Sequence, residues 1–107
     1  MASLDRRLEL DARLRRILGS DNVYFEPPAS LKMKYPCIRY SRSRIDTVNA
    51  NNKTYLANRR YDIIAIYQDP DSDLSDRMLF NEEGLTLSNE RRYVADGLHH
   101  DVFKTTF

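Results

Sequence analysis

Residues able to do chemistry are few in this sequence, and they fall in separate places. Asp69, Asp71, Asp73 and Asp76 resemble the start of a calcium-binding EF-hand loop, where spaced carboxylates supply oxygen ligands to a hard cation. That loop needs glycine at its sixth position and a bidentate glutamate at its twelfth, and Leu74 and Phe80 stand there instead. The acids are therefore read as capping groups for a helix beginning near Ser72. His99 and His100 are the only histidines, beside Asp96 and Asp101. Neighbours on a strand point to opposite faces, so the pair cannot readily share one metal or substrate. One is expected to pack toward the helices and the other to face solvent. Cys37, the single cysteine, has no thiol partner for a disulfide or a metal cluster, and is expected buried in a strand. Ser41, Ser43, Ser72, Ser75 and Ser88 lack the G-x-S-x-G setting of an activated nucleophile. The glycines, Gly19, Gly84 and Gly97, are too scattered for a phosphate-cradling loop. The expectation is a protein with no catalytic, cofactor-binding or metal-binding residue.

Basic chemistry concentrates in Arg39-Tyr40-Ser41-Arg42-Ser43-Arg44. Arginines alternating with tyrosine could meet phosphates and stack on bases, but the interleaved glycines and aromatics of an RNP signature are missing. The other reading is an interface, with these arginines facing Asp46 or the Asp69–Asp76 acids of a neighbouring molecule. Thirteen arginines against four lysines suit that reading, because the guanidinium fork pairs planar with carboxylates across packed surfaces.

Several elements must position these groups. Leu4, Leu8, Leu10, Leu14, Ile17 and Leu18 recur at helical spacing and Gly19 follows as a cap, which predicts an amphipathic helix over residues 3–18. Its second half is the more cleanly apolar; Arg7, Asp11 and Arg15 form an i, i+4 ladder that suits a solvated face or a subunit contact. Val23–Phe25 and Cys37–Arg42 are expected strands, separated by a loop that Pro27, Pro28 and Pro36 shape. Residues 44–58 lose apolar periodicity around Asn49-Ala50-Asn51-Asn52-Lys53, which predicts a long exposed loop or β-arm. Tyr61–Tyr67 is apolar on both faces, as a central strand is. A helix near Leu74, Met78 and Leu79, a strand over Leu85–Val94, a turn at Ala95-Asp96-Gly97 and a strand over Asp101–Phe107 complete the order. The fold class is α+β: a single domain over residues 1–107, a mainly antiparallel sheet with an N-terminal helix and a second helix packed against it.

The 107 residues fit one core. No apolar run approaches the roughly 20 residues that span a bilayer, so no membrane partner is expected. Met1–Arg7 lacks the apolar centre of a secretory signal, so synthesis and function in a cytoplasm are the expectation. Seventeen basic against sixteen acidic side chains leave a net charge of +1, too neutral for a chain whose main task is gripping phosphates.

Several phrases in order resemble the tail terminator (tail completion) proteins of long-tailed bacteriophages. They are Asn22-Val23-Tyr24-Phe25 with Pro27-Pro28, Lys32–Ile38, Ala50–Tyr55, Tyr61, Asp69–Ser72 and Tyr93–Phe103. The likeness runs from about Leu8 to Phe107; the departure lies in 78–92, where Asn89-Glu90-Arg91-Arg92 replaces a more apolar stretch. The resemblance implies an α+β subunit that closes into a homo-oligomeric ring, commonly a hexamer, on the head-proximal end of the tail tube. Such a ring ends tube polymerisation, meets a head-closure or neck protein, and lets genomic DNA pass its pore without sequence-specific binding. It needs no cofactor, is assembled in the host bacterial cytoplasm, and sits at the head–tail junction of the virion. Arg39, Arg42, Arg44, Asp46, Asn51, Asn52 and Tyr55 are the residues expected at the subunit or tube interface, with the Arg42–Tyr55 arm reaching a neighbour or the tube. A flexible surface loop is the other account of that arm. A head-closure or connector protein, or a small nucleic-acid-binding module, are the competing readings of the chain.

Overall fold

The computed structural model describes residues 2–107, and their side chains except at 2, 3, 48, 50 and 54–56. Helix α1 (Ala2–Leu18) buries Leu10, Leu14, Ile17 and Leu18, while Leu4 and Leu8 stay exposed, as the drift of the apolar stripe requires. Gly19 ends it with φ +80°, and its N–H bonds the Arg15 carbonyl at 2.8 Å. The chain continues through β1 (Val23–Phe25), β2 (Cys37–Ala50), β3 (Lys53–Tyr67), α2 (Leu74–Leu79), β4 (Ser88–Ala95) and β5 (Leu98–Thr106). The five strands form one sheet in the order β1-β2-β3-β5-β4, antiparallel except for the β1/β2 pair. The fold is the expected α+β single domain.

Strand alternation builds the core. Ile38 and Tyr40 of β2, Tyr61, Ile63, Ala65 and Tyr67 of β3 and Phe103 of β5 meet α1 and the Leu74 and Met78 side chains of α2. Truncating a fully buried member such as Leu14 to alanine costs about 2–5 kcal/mol. Arg6 and Arg13 lie 4.1 and 5.0 Å from the Phe107 ring centroid, closing the core's edge with cation–π contacts. Among the described residues no helix lies on the other face of the sheet. The proline loop crosses there: Tyr24, which alternation turns away from the helices, accepts the Lys34 N–H at 3.0 Å.

Element limits differ from the sequence expectation where tertiary packing intervenes. Leu85 and Leu87 are buried but precede β4, because Asn81 folds this segment onto itself by donating to the Leu85 carbonyl at 2.9 Å. β5 begins at Leu98, immediately after Asp96 and Gly97 with φ +53° and +74°, a two-residue turn of the kind that joins twisted strands. α2 starts at Leu74; Ser72 Oγ accepts the Leu74 N–H at 3.3 Å, and Asp73 at the cap makes no side-chain capping bond. Asp69 instead serves its own turn by accepting the Asp71 N–H at 2.9 Å, and Asp73 pairs with Arg77 at 3.2 Å.

Candidate functional site

The β2/β3 hairpin is far longer than the sheet that holds it. β1 pairs β2 only along Ile38–Tyr40, and β5 pairs β3 no further than Arg60, so residues beyond Arg42 and Arg60 form a two-stranded ribbon alone. At about 3.3 Å per residue it projects roughly 25 Å. The molecule is accordingly 52 Å long but 31 and 23 Å across, and its radius of gyration of 14.9 Å exceeds the ~13 Å of a compact chain this size. The arm is thus β-structure, not an irregular loop. At its tip Asn51 and Asn52 take φ +54° and +62°, a conformation asparagine tolerates and most residues resist. Their first role is the turn itself.

Two compensating bulges set which side chains meet along the ribbon. Pairing shifts by one between Val48 and Asn49 and shifts back between Arg42 and Arg44. Between the shifts Arg44 faces Arg60, where an unbroken hairpin would bring it to Arg59. Asp46 then bridges both guanidiniums, to Arg44 at 2.5 Å and to Arg60 at 2.6 Å. The hydrogen bond from Arg44, with the charge of both arginines, holds the Asp46 carboxyl below the usual carboxylate range. Ile45 lies on the ribbon's opposite side and is exposed.

The predicted interface residues therefore separate. Arg44 and Asp46 come together within one chain; the expectation that these arginines face acids of a neighbour has this intramolecular alternative. Arg42 sits on the helical side, 5.5 Å above the Phe25 ring, and Arg39 on the opposite face of the same strand. The Tyr55 side chain lies outside the described residues. Arg60 is the member the sequence reading missed, because only the displaced register brings it beside Asp46.

A second polar constellation lies at the other end of the sheet. Asp101 is 1% exposed, and its carboxylate accepts from Tyr67 Oη at 2.8 Å, from Arg92 Nε at 2.7 Å and from Ser75 Oγ. Burial opposes its ionisation, but these bonds from Ser75, Tyr67 and Arg92 together outweigh burial and hold it below the usual carboxylate range. A cleft of about 320 Å³ beside it is lined by Tyr67, Arg92, Tyr93, Val94, His99 and Asp101. His99 stacks on Tyr67 at 5.4 Å and His100 on Tyr93 at 4.6 Å. They take opposite faces as expected, yet both are half-buried, so neither is the solvent-facing histidine expected. The constellation joins α2 to β3, β5 and the edge strand β4. Its donors and acceptors satisfy one another.

The Arg7/Asp11/Arg15 ladder is partly buried and bonded within the chain, with Arg15 still 40% exposed. Asp11 accepts from Tyr40 Oη at 2.6 Å and from Arg15 Nε at 2.5 Å, and Arg7 donates to Tyr40 Oη at 3.2 Å. It fastens α1 to β2. Cys37 is fully buried, and burial pushes its thiol up to about 11.

No family model and no curated protein matches this sequence. Among the described residues no group of His, Cys, Asp and Glu is placed to hold a metal ion, and no helix is long and apolar enough to cross a membrane. The ribbon projects beyond the sheet, and β1 and β4 are the sheet's edge strands.

Proposed function

We propose that this chain is a structural subunit of a long-tailed bacteriophage that assembles into a ring on the head-proximal end of the tail tube. The ring ends tube growth and joins the tail to a head-closure or neck protein, acting by shape and assembly without catalysis or a cofactor. The observation that carries this reading is the ribbon. A two-stranded hairpin is at best marginal alone in water, and among the described residues no further strand pairs with this one beyond its base. A partner surface supplies what it lacks.

The ordered motifs from Asn22-Val23-Tyr24-Phe25 to Tyr93–Phe103 give the reading its specific form. Near-neutral charge agrees with a pore through which DNA slides without being gripped. Negative-stain imaging of the protein mixed with tail tube protein tests it: caps at one end of each tube are expected. Binding to portal or adaptor protein and none to tubes would make it a head-closure component instead. Binding to DNA alone would leave the nucleic-acid module.

A further inference from the structure

An open strand edge is a template for another strand, and folded proteins shorten, bulge, charge or cover theirs. β1 is only three residues long. β4 is bulged where its pairing skips Glu90, with Arg91 and Arg92 beside the skip. The β3 side of the ribbon is blunted as well. The Phe107 N–H bonds the Arg59 carbonyl at 2.9 Å and the β2/β3 pairing skips Tyr55, which leaves only Leu56–Asn58 between them. The β2 side is open. The Glu26 N–H bonds the Tyr40 carbonyl at 2.9 Å, and among the described residues no strand pairs that side of β2 beyond it. The Ser43 bulge lies at the ribbon's base, and from Arg44 to Ala50 every residue of β2 keeps its place in the ladder. This run contains no proline and no lysine, and its two charged residues, Arg44 and Asp46, are of opposite sign.

Such an edge accepts an extended backbone, and the residues along it match a second copy of themselves. In an antiparallel pair related by a twofold axis, one residue lies opposite its own copy, and the residue before it meets the residue after it. Centred on Arg44, the pair sets arginine on arginine; centred on Asp46, it sets carboxylate on carboxylate. Like charges directly opposite each other destabilise a sheet. Centred on Thr47, the pair matches neither charge. Centred on Ile45, it places Arg44 opposite Asp46 twice, once in each direction, and lays Ile45, 53% exposed, against its own copy. The faces agree, since Arg44 and Asp46 share one side of the ribbon and Ile45 takes the other. Arg44 gains an acid across the new pair, where across its own hairpin it faces Arg60.

We propose that two copies of this chain pair antiparallel along β2, centred on Ile45, and join their ribbons into four strands in the order β3-β2-β2-β3. The contact is isologous, so it closes at two. It follows from the ribbon's edge alone and does not rest on the tail reading.

Arg44→Asp and Asp46→Arg test it, since both positions lie outside the core. Either variant alone sets like charges opposite each other at both crossings. Sedimentation equilibrium should give each a dimer association constant about tenfold or more below that of the wild type. Mixed together, one chain brings two acids to the edge and the other two bases, so a mixed dimer should form where neither variant dimerises well by itself. The double variant restores opposite charges at both crossings and should recover self-association. Ile45→Cys reads the register: residues directly opposite have Cα atoms about 4.5–5.5 Å apart, within disulfide reach. Mild oxidation should therefore join two chains of Ile45→Cys and leave Asn49→Cys as single chains; Cys37 is buried and does not compete. The inference falls if the wild type stays monomeric at about millimolar concentration, if neither single variant weakens association, or if the mixture associates no better than its parts. Cross-linking through Asn49→Cys as fast as through Ile45→Cys would overturn it too.

Discussion

Arg92, on the edge strand β4, donates from Nε to Oδ1 of Asp101 at 2.7 Å, and so fastens a strand that is exposed along most of its length to a carboxylate that is buried. Asp101→Asn keeps the shape but replaces one acceptor oxygen with a donor, and is expected to cost about 1–3 kcal/mol in chemical denaturation. The folded carboxyl is held below its unfolded value, so its contribution is complete above about pH 4 and is lost as pH falls through the folded value. The wild-type melting temperature should therefore fall more steeply below pH 4 than that of Asp101→Asn. Parallel acid limbs would show that the carboxylate is not held this way.

Tyr61 presents the opposite case. It is fully buried, and among the described residues its hydroxyl has no hydrogen-bond partner. Tyr61→Phe removes only that hydroxyl, and is expected to leave stability unchanged or raise it by up to about 1 kcal/mol. A loss beyond about 1 kcal/mol in urea unfolding would mean that the hydroxyl is satisfied in solution.

The ribbon separates folding from assembly. Replacing residues 43–60 with Asn-Gly closes β2 onto β3 at the Arg42–Tyr61 pair with a two-residue turn. The shortened chain should keep a cooperative melt and lose binding to tail tube protein. Arg42→Glu with Arg44→Glu should weaken ring or tube binding while the monomer stays folded, and normal assembly by that variant would discard the ribbon as a contact.

Cys37 offers a probe of native packing. Fully buried, with a thiol pushed up to about 11, it should resist alkylation at pH 8 in the native protein and react readily in guanidinium. Rapid native labelling would place β2 or its covering loop in frequent local opening.

The central strand, the N-terminal helix and the sheet's alternation were legible because each is dictated locally, by period and by caps such as Gly19. The ribbon was legible as an arm but not in its pairing. Its register depends on two bulges that leave no mark on apolar periodicity, and they bring Arg60 rather than Arg59 to Asp46. The Asp101 constellation was hidden for another reason: Tyr67, Ser75, Arg92 and Asp101 lie on four elements, and neighbourhood along the chain says nothing of them.

The bulge between Asn89 and Arg91 on β4 bears on what this protein must avoid. β4 leaves a row of backbone donors and acceptors open at one margin of the sheet, and the ribbon leaves the outer sides of β2 and β3 open beyond it. Together they hold both halves of an endless fibre. The bulge twists that margin, and Glu90, Arg91 and Arg92 charge it, which makes strand-on-strand growth costly. A chain so guarded resists open-ended growth by strand pairing.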